Sequence, residues 1–150
     1  MNWQSDIVKM DNSNIKISTL KKIEVDGGAV LHAMKKSDTG YAGFGEAYFS
    51  TVNPGSIKAW KLHTEMTMNL IVPVGRIMFA FIDNSNSQRI ETIGEDNYSR
   101  ITVPPGIWFG FKGIANAPSI ILNLASIEHS ANEIKRKDLN EINFNWETLK

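Results

Sequence analysis

The chain has 150 residues, 42% of them hydrophobic, and its 16 basic and 16 acidic side chains cancel to a net charge of zero. That length suits a single domain over 1–150 with a core large enough to do without staples, and the lack of any cysteine excludes both a disulfide framework and a thiolate metal site. The cancelled charge gives no global case for nucleic acid or an anionic membrane, so affinity for a charged ligand has to be local.

The amino terminus, "MNWQSDIVKMDNSNIK", carries charges and amides where a secretory leader needs an apolar block, and a cytoplasmic location is expected. Then come short runs rich in apolar, branched and aromatic residues: "AVLHAMK", "FGEAYFSTV", "SIKAWKLH" and "TMNLIVPV", followed by "RIMFAFID", "QRIETIG", "RITV" and "SIILNLAS". Turn signals such as "DGG", "NPG", "DNSNS", "GEDN", "PPG" and "NAP" separate them. Some eight strands at this spacing, with no helical repeat between them, predict an all-β antiparallel sandwich or barrel. The longest apolar run, "LIVPV" at 70–74, falls far short of the roughly 20 residues that cross a bilayer. The tail over 130–150 is dense in charge and amide, with room for a helical turn or short helix before Ile142, Phe144 and Trp146, and is expected to lie over the barrel.

Chemistry concentrates in "GSIKAWKLHTEMT", 55–67. Strand alternation puts Lys61 and His63 on one face with Ala59, and Lys58, Trp60 and Leu62 on the other. A twist or bulge near Ala59 would bring Lys58 round. A barrel that receives Lys61 and His63 is polar at one end, where barrels hold ligands. Trp60 is expected against the partner sheet or a dimer contact. Glu46, Tyr48 and Ser50 alternate onto one face of their strand as candidate pocket walls, with a salt bridge at the strand edge as the other reading of Glu46. Asn69 and Trp108 are further candidates for substrate contact; Trp108 and Phe109 after "PPG" also suit barrel packing. His32 has no second signal beside it and reads as structural or exposed.

The stretches "GEAYFSTVNPGSIKAWKLHTEMTMNLIVPVGRIMFAFID" (45–83), "VPPGIWFGFKG" (103–113), "NLASIEHSANEIKR" (123–136) and "INFNW" (142–146) together resemble the dTDP-4-dehydrorhamnose 3,5-epimerase family, a metal-free branch of the cupins. The likeness is closest to the epimerase-related members, whose core reads like "YFSTVxPGxxKGWHxH". The metal signature of other cupins, glycine, five residues, His-x-His, then a glutamate and a histidine after Pro-x-Gly, is not met. Gly55 and Gly75 are in place, but Lys61 holds the first histidine position, Thr67 or Met68 the glutamate and Phe109 the last histidine, leaving His63 alone. One ligand cannot hold a transition metal, so neither metal nor other cofactor is expected.

The resemblance implies a double-stranded β-helix, a cupin-like jelly roll, working in the cytoplasm as a homodimer on a nucleotide-diphosphate 4-keto-hexose for surface polysaccharide synthesis. It implies proton exchange at C3 or C5, beside the ketone. By position, Lys58 matches the cation that meets the diphosphate, and His63 a polar residue of the sugar pocket. Lys61 takes the place of the histidine base, and His129 that of the tyrosine acid on the opposite face. The family's amino-terminal nucleotide motif has an arginine and an aromatic, where "GGAVLH" here has Gly27, Gly28, Val30 and His32. Lysine works as a base only if desolvation or neighbouring cations lower its pKa by several units. The alternative is that Lys61 stays an ammonium that binds phosphate or polarises the ketone, with His63 or His129 carrying the proton. Two further readings are a non-catalytic sugar-nucleotide or glycan-binding cupin, and a sugar-nucleotide 3,4-ketoisomerase, which is expected to carry a histidine pair on the 58–63 strand.

Overall fold

The computed structural model describes residues 10–148. Its twelve strands are β1 Lys16–Thr19, β2 Lys22–Val25, β3 Gly28–Leu31, β4 Glu46–Val52, β5 Ile57–His63, β6 Met68–Val74, β7 Arg76–Ile82, β8 Gln88–Gly94, β9 Ser99–Val103, β10 Trp108–Gly113, β11 Ser119–Ala125 and β12 Ile134–Arg136. They form two five-stranded sheets, ordered β1-β9-β6-β11-β4 and β12-β5-β10-β7-β8, and the separate hairpin β2-β3. Every pairing is antiparallel, which gives the all-β sandwich that the spacing of the apolar runs predicts, in the jelly-roll form that the resemblance implies.

Alternation places the core. Ile77, Phe79 and Phe81 of β7 point inward with Phe109 of β10 and meet Met68, Leu70 and Val72 of β6 across the sandwich. Met78, Ala80 and Ile82, the intervening residues of β7, point outward and form a second apolar cluster with Trp60 and Trp146. Both faces of the second sheet are therefore covered, and β7 reads as the near-continuous apolar run "RIMFAFI" for that reason.

The outer cover is the carboxy-terminal segment, as the anchors Ile142, Phe144 and Trp146 suggest. Trp60 meets neither a partner sheet nor solvent. Its ring lies 5.2 Å from Trp146 and 5.8 Å edge-on to Phe144, and its Nε1 donates to the Leu139 carbonyl at 3.2 Å. Burying aromatic side chains in this way stabilises by roughly 2–3 kcal/mol each. Over its described residues the segment has no α-helix; it has 3₁₀ turns at Ala131–Glu133 and Leu139–Glu141 with β12 between them.

β10 approaches β5 closely at Gly110, which stands opposite Ala59. A Cβ there would sit 2.6 Å from the Ala59 Cβ and 3.0 Å from the Trp146 ring. Gly110→Ala is expected to cost about 1–3 kcal/mol, a fall in Tm of roughly 3–10 °C by thermal denaturation; an unchanged Tm would mean that the strand pair and the tail part without cost.

Candidate active site

Between the two sheets lies a cavity of about 780 Å³. Its floor is apolar, with Phe79, Phe109, Phe111 and Ile121, and its walls carry the polar groups.

β5 supplies one wall through a break in its pairing. Lys61 stands opposite Phe109 and Lys58 opposite Phe111, with Ala59 opposite Gly110, so Trp60 is an extra residue that β10 does not pair. The Ala59–Trp60 peptide is cis at this point. Trp60 pairs with the tail instead, exchanging backbone hydrogen bonds with Lys137 at 3.1 and 3.2 Å. With one residue spent on the bulge, Lys58 and Lys61, three apart in sequence, both face the cavity, together with His63. The expected bend near Ala59 is present and brings Lys58 round.

His63 is buried, stacked on Phe109 at 5.9 Å, and its Nδ1 lies 2.7 Å from Oε2 and 3.1 Å from Oε1 of Glu133. Glu133 is only 2% exposed. Its Oε1 also accepts the Met66 amide at 3.0 Å, so the carboxylate is held from two sides. A carboxylate accepts and does not donate, so the Nδ1 facing it carries the ring proton and Nε2 is the free ring nitrogen. This is the arrangement of a proton-accepting histidine oriented by an acid.

Cations gather around it. β12 pairs with β5 so that Arg136 stands beside Lys61, and Lys137 follows with its Nζ 4.7 Å over the Trp108 ring. Lys58, Lys61, Arg136 and Lys137 all line the cavity. Burial, then Arg136, then Lys58 push the Lys61 pKa below the ordinary lysine value. The opposite sheet offers neutral polar groups: Tyr48 and Ser50 of β4 and Asn123 of β11, with Glu46 at the end of the strand.

Of the residues singled out in the sequence, Lys58, Lys61, His63, Glu46, Tyr48 and His129 come together around this cavity. His129 sits on the exposed rim, just beyond β11. Asn69 and Trp108 stand elsewhere. Asn69 is buried on the outer side of its strand, where its amide donates to the Gly40 carbonyl at 3.0 Å and accepts from Thr102 at 2.5 Å. Trp108 lies on the outer face of β10 with the tail-covered cluster. Glu133, Arg136, Lys137 and Asn123 were not picked out in the sequence; a lone acid beside Ile134 in an otherwise basic run is the one local hint of Glu133. Among the described residues no group of three or more His, Cys, Asp or Glu side chains is arranged to hold a metal ion.

No family model matches the chain. Among solved structures it is similar to a dTDP sugar isomerase from Desulfovibrio desulfuricans G20, at 34% identity over 91% of this chain and 93% of that one, with a TM-score of 0.86. It shares the fold of the dTDP-4-dehydrorhamnose 3,5-epimerase of Bacillus anthracis, solved with TDP and pyrophosphate, at 17% identity over 95% and 90% of the two chains and a TM-score of 0.78. By sequence it is 32% identical over 84 residues to the "Probable low-salt glycan biosynthesis epimerase Agl13" of Haloferax volcanii, a match that spans 51% of this chain and 54% of that protein.

The lowered pKa of Lys61 has a consequence for stability. Where the folded pKa lies below the unfolded value, the unfolded chain holds the proton more readily, and stability rises with pH between the lowered value and 10.5. Lys61→Met, which removes the charge, is expected to raise Tm at neutral pH. That advantage should fade as pH climbs through the window, in thermal scans of both proteins side by side; a constant difference would show that Lys61 bears no such penalty.

Proposed function

The chain belongs to the dTDP-4-dehydrorhamnose 3,5-epimerase-like family of dTDP-sugar isomerases, and from that membership we propose that it exchanges a proton at C3 or C5 of a nucleotide-linked 4-keto-hexose in surface polysaccharide synthesis. The observation that carries this reading is the His63–Glu133 pair, buried in a cavity whose rim gathers cations.

Removing a proton beside a ketone needs a base, a site that steadies the enolate, and a grip that holds the carbon in reach. His63 is the base, with Nε2 taking the proton while Glu133 keeps the ring in its tautomer and orientation. Lys61 is the cation that steadies the enolate oxygen, which suits an ammonium beside the base better than a second base does. Lys58 and Arg136 hold the diphosphate, with Lys137 at the outer edge. The base thus stands two residues along the strand from the position to which resemblance alone assigns it.

The setting is a cytoplasmic homodimer. What supports the pairing is apolar surface at one end of the first sheet: β4 is its edge strand among the described residues, Phe49 is 69% exposed there, and Phe44 just before it 66%. Phe49→Asp is expected to shift the protein towards monomer in sedimentation equilibrium at micromolar concentration; an unchanged mass in the dimer range would move the contact elsewhere.

The reaction is tested by deuterium wash-in followed by NMR, with a panel of nucleotide-linked 4-keto-hexoses in heavy water. Deuterium is expected at C3 or C5, at a rate that falls by about 10²–10⁴-fold in His63→Ala. Glu133→Gln, which offers Nδ1 a donor as readily as an acceptor, should cost about tenfold or more in kcat with KM little changed. Saturable binding without exchange in the wild type would convert the reading to the non-catalytic sugar-nucleotide cupin.

A further inference from the structure

Asn123 of β11 stands directly opposite Tyr48 of β4, and both line the cavity on the sheet across from β5. The asparagine is 2% exposed, with the apolar Ile121 and Leu70 beside it in the wall. Its Nδ2 donates to the Tyr48 hydroxyl at 3.0 Å, while its Oδ1, fully buried, has no hydrogen-bond partner.

An asparagine in such a position is a poor choice for packing. Its buried oxygen gives up its hydration without a bond in return, and an apolar side chain of similar branched shape, such as leucine, carries no such penalty. What the asparagine adds is direction. A phenol has one hydrogen to give and lone pairs that accept. With a lone pair of Tyr48 occupied by the Asn123 amide, the hydroxyl hydrogen is turned away from Asn123 and is available on the cavity side. Tyr48 therefore presents a proton on the wall opposite the one from which His63 presents a lone pair.

We propose that Tyr48 is the proton donor that completes inversion, and that Asn123 is the positioning residue that aims it. The proposal rests on the epimerase reading above and adds the second face of the reaction. The C–H bond beside the ketone breaks towards His63, its proton going to Nε2 and its electron pair to the ketone oxygen as an enolate. The Tyr48 O–H bond then breaks, its proton forms a new C–H bond on the opposite face, and the enolate electrons return to make that bond and restore the ketone. The phenolate takes a proton from solvent and His63 releases one to it, so nothing is oxidised or reduced. His129, to which the resemblance gives this role, stands on the exposed rim, and no hydrogen bond from a described residue orients it.

The test separates exchange from inversion. In heavy water, His63 alone can remove a proton and return deuterium to the same face, so Tyr48→Phe is expected to keep deuterium wash-in while the inverted product falls by about 10²-fold or more. Asn123→Leu should show the same split more mildly, on the order of tenfold in kcat with KM unchanged, and with a Tm equal to or above that of the wild type. If Asn123 acts through Tyr48, the double variant is no worse than Tyr48→Phe alone. Inversion at the wild-type rate in Tyr48→Phe, losses that multiply in the double variant, or a marked fall in Tm for Asn123→Leu would each overturn the assignment while leaving His63 as the base. An absence of wash-in from the wild type with every sugar would instead overturn the epimerase reading itself, and this inference with it.

Discussion

In β5 one residue more than β10 can pair with lies between Ala59 and Lys61, and most of the site follows from how that residue is accommodated. Trp60 leaves the ladder and turns outward, where the only way to bury so large a side chain is to cover it. The tail does so with Phe144 and Trp146, and its backbone pairs with Trp60 at Lys137. Once Lys137 is held there, β12 runs beside β5 and the 3₁₀ turn before it is set against His63. The bulge thus acts twice: it turns Lys58 into the cavity with Lys61, and it anchors the segment that carries Glu133 and Arg136 to them. Gly110 permits the arrangement, since any side chain there would collide with Ala59.

The electrostatics repeat that geometry. A chain with no net charge nonetheless concentrates Lys58, Lys61, Arg136 and Lys137 on one cavity, and the pKa of Lys61 is lowered by burial first and then by the charges of Arg136 and Lys58. Gathering like charges in a partly desolvated place costs folding free energy. The doubly charged diphosphate of the proposed substrate would offset that cost on binding, which is how the cluster supports an anionic ligand. Glu46 and Asp138 line the same cavity and offset part of that charge, while the Glu133 oxygens accept from the Met66 amide and face the His63 ring, the geometry on which the proposed orienting role rests.

Much of the sandwich is legible in the sequence because most of its long strands bury at least one face. The runs containing β4 to β9 and β11 stand out by their apolar content and by the turns between them. β1 and β2, "KIST" and "KIEV", escape notice because they are four residues long, mix charge with aliphatics and are largely exposed, so burial imposes no clear pattern on them. Of "AVLHAMK" only the first part is extended, since β3 ends at Leu31 with its two-stranded hairpin. β10 is interrupted by Gly110, which a strand tolerates here only because Ala59 approaches so closely. β12 is three residues whose extended form is dictated by its pairing with β5, and Glu133 in the turn before it lies seventy positions from its partner His63. No local property of "SANEIKR" reveals that its glutamate belongs to a histidine on another strand.

The same distinction separates what resemblance carries over from what it does not. The positions matched to the family, Lys58, Lys61, His63 and His129, line one cavity, because order along a shared fold specifies where backbone goes. A role requires more: a base needs a ring nitrogen with its other side held by an acceptor, and a hydroxyl donor needs a second donor on its lone pair to turn its hydrogen outward. Those conditions are met by residues that lie beside the matched positions, His63 with Glu133 and Tyr48 with Asn123. In each pair the second member is buried, polar and drawn from a different strand or turn, so it is visible only after folding. On the proposed reading, a lysine at the position matched to the base is compatible with activity: if the proton is carried at 63, position 61 is free to hold a cation where the enolate charge would develop, the placement in which a lysine contributes most.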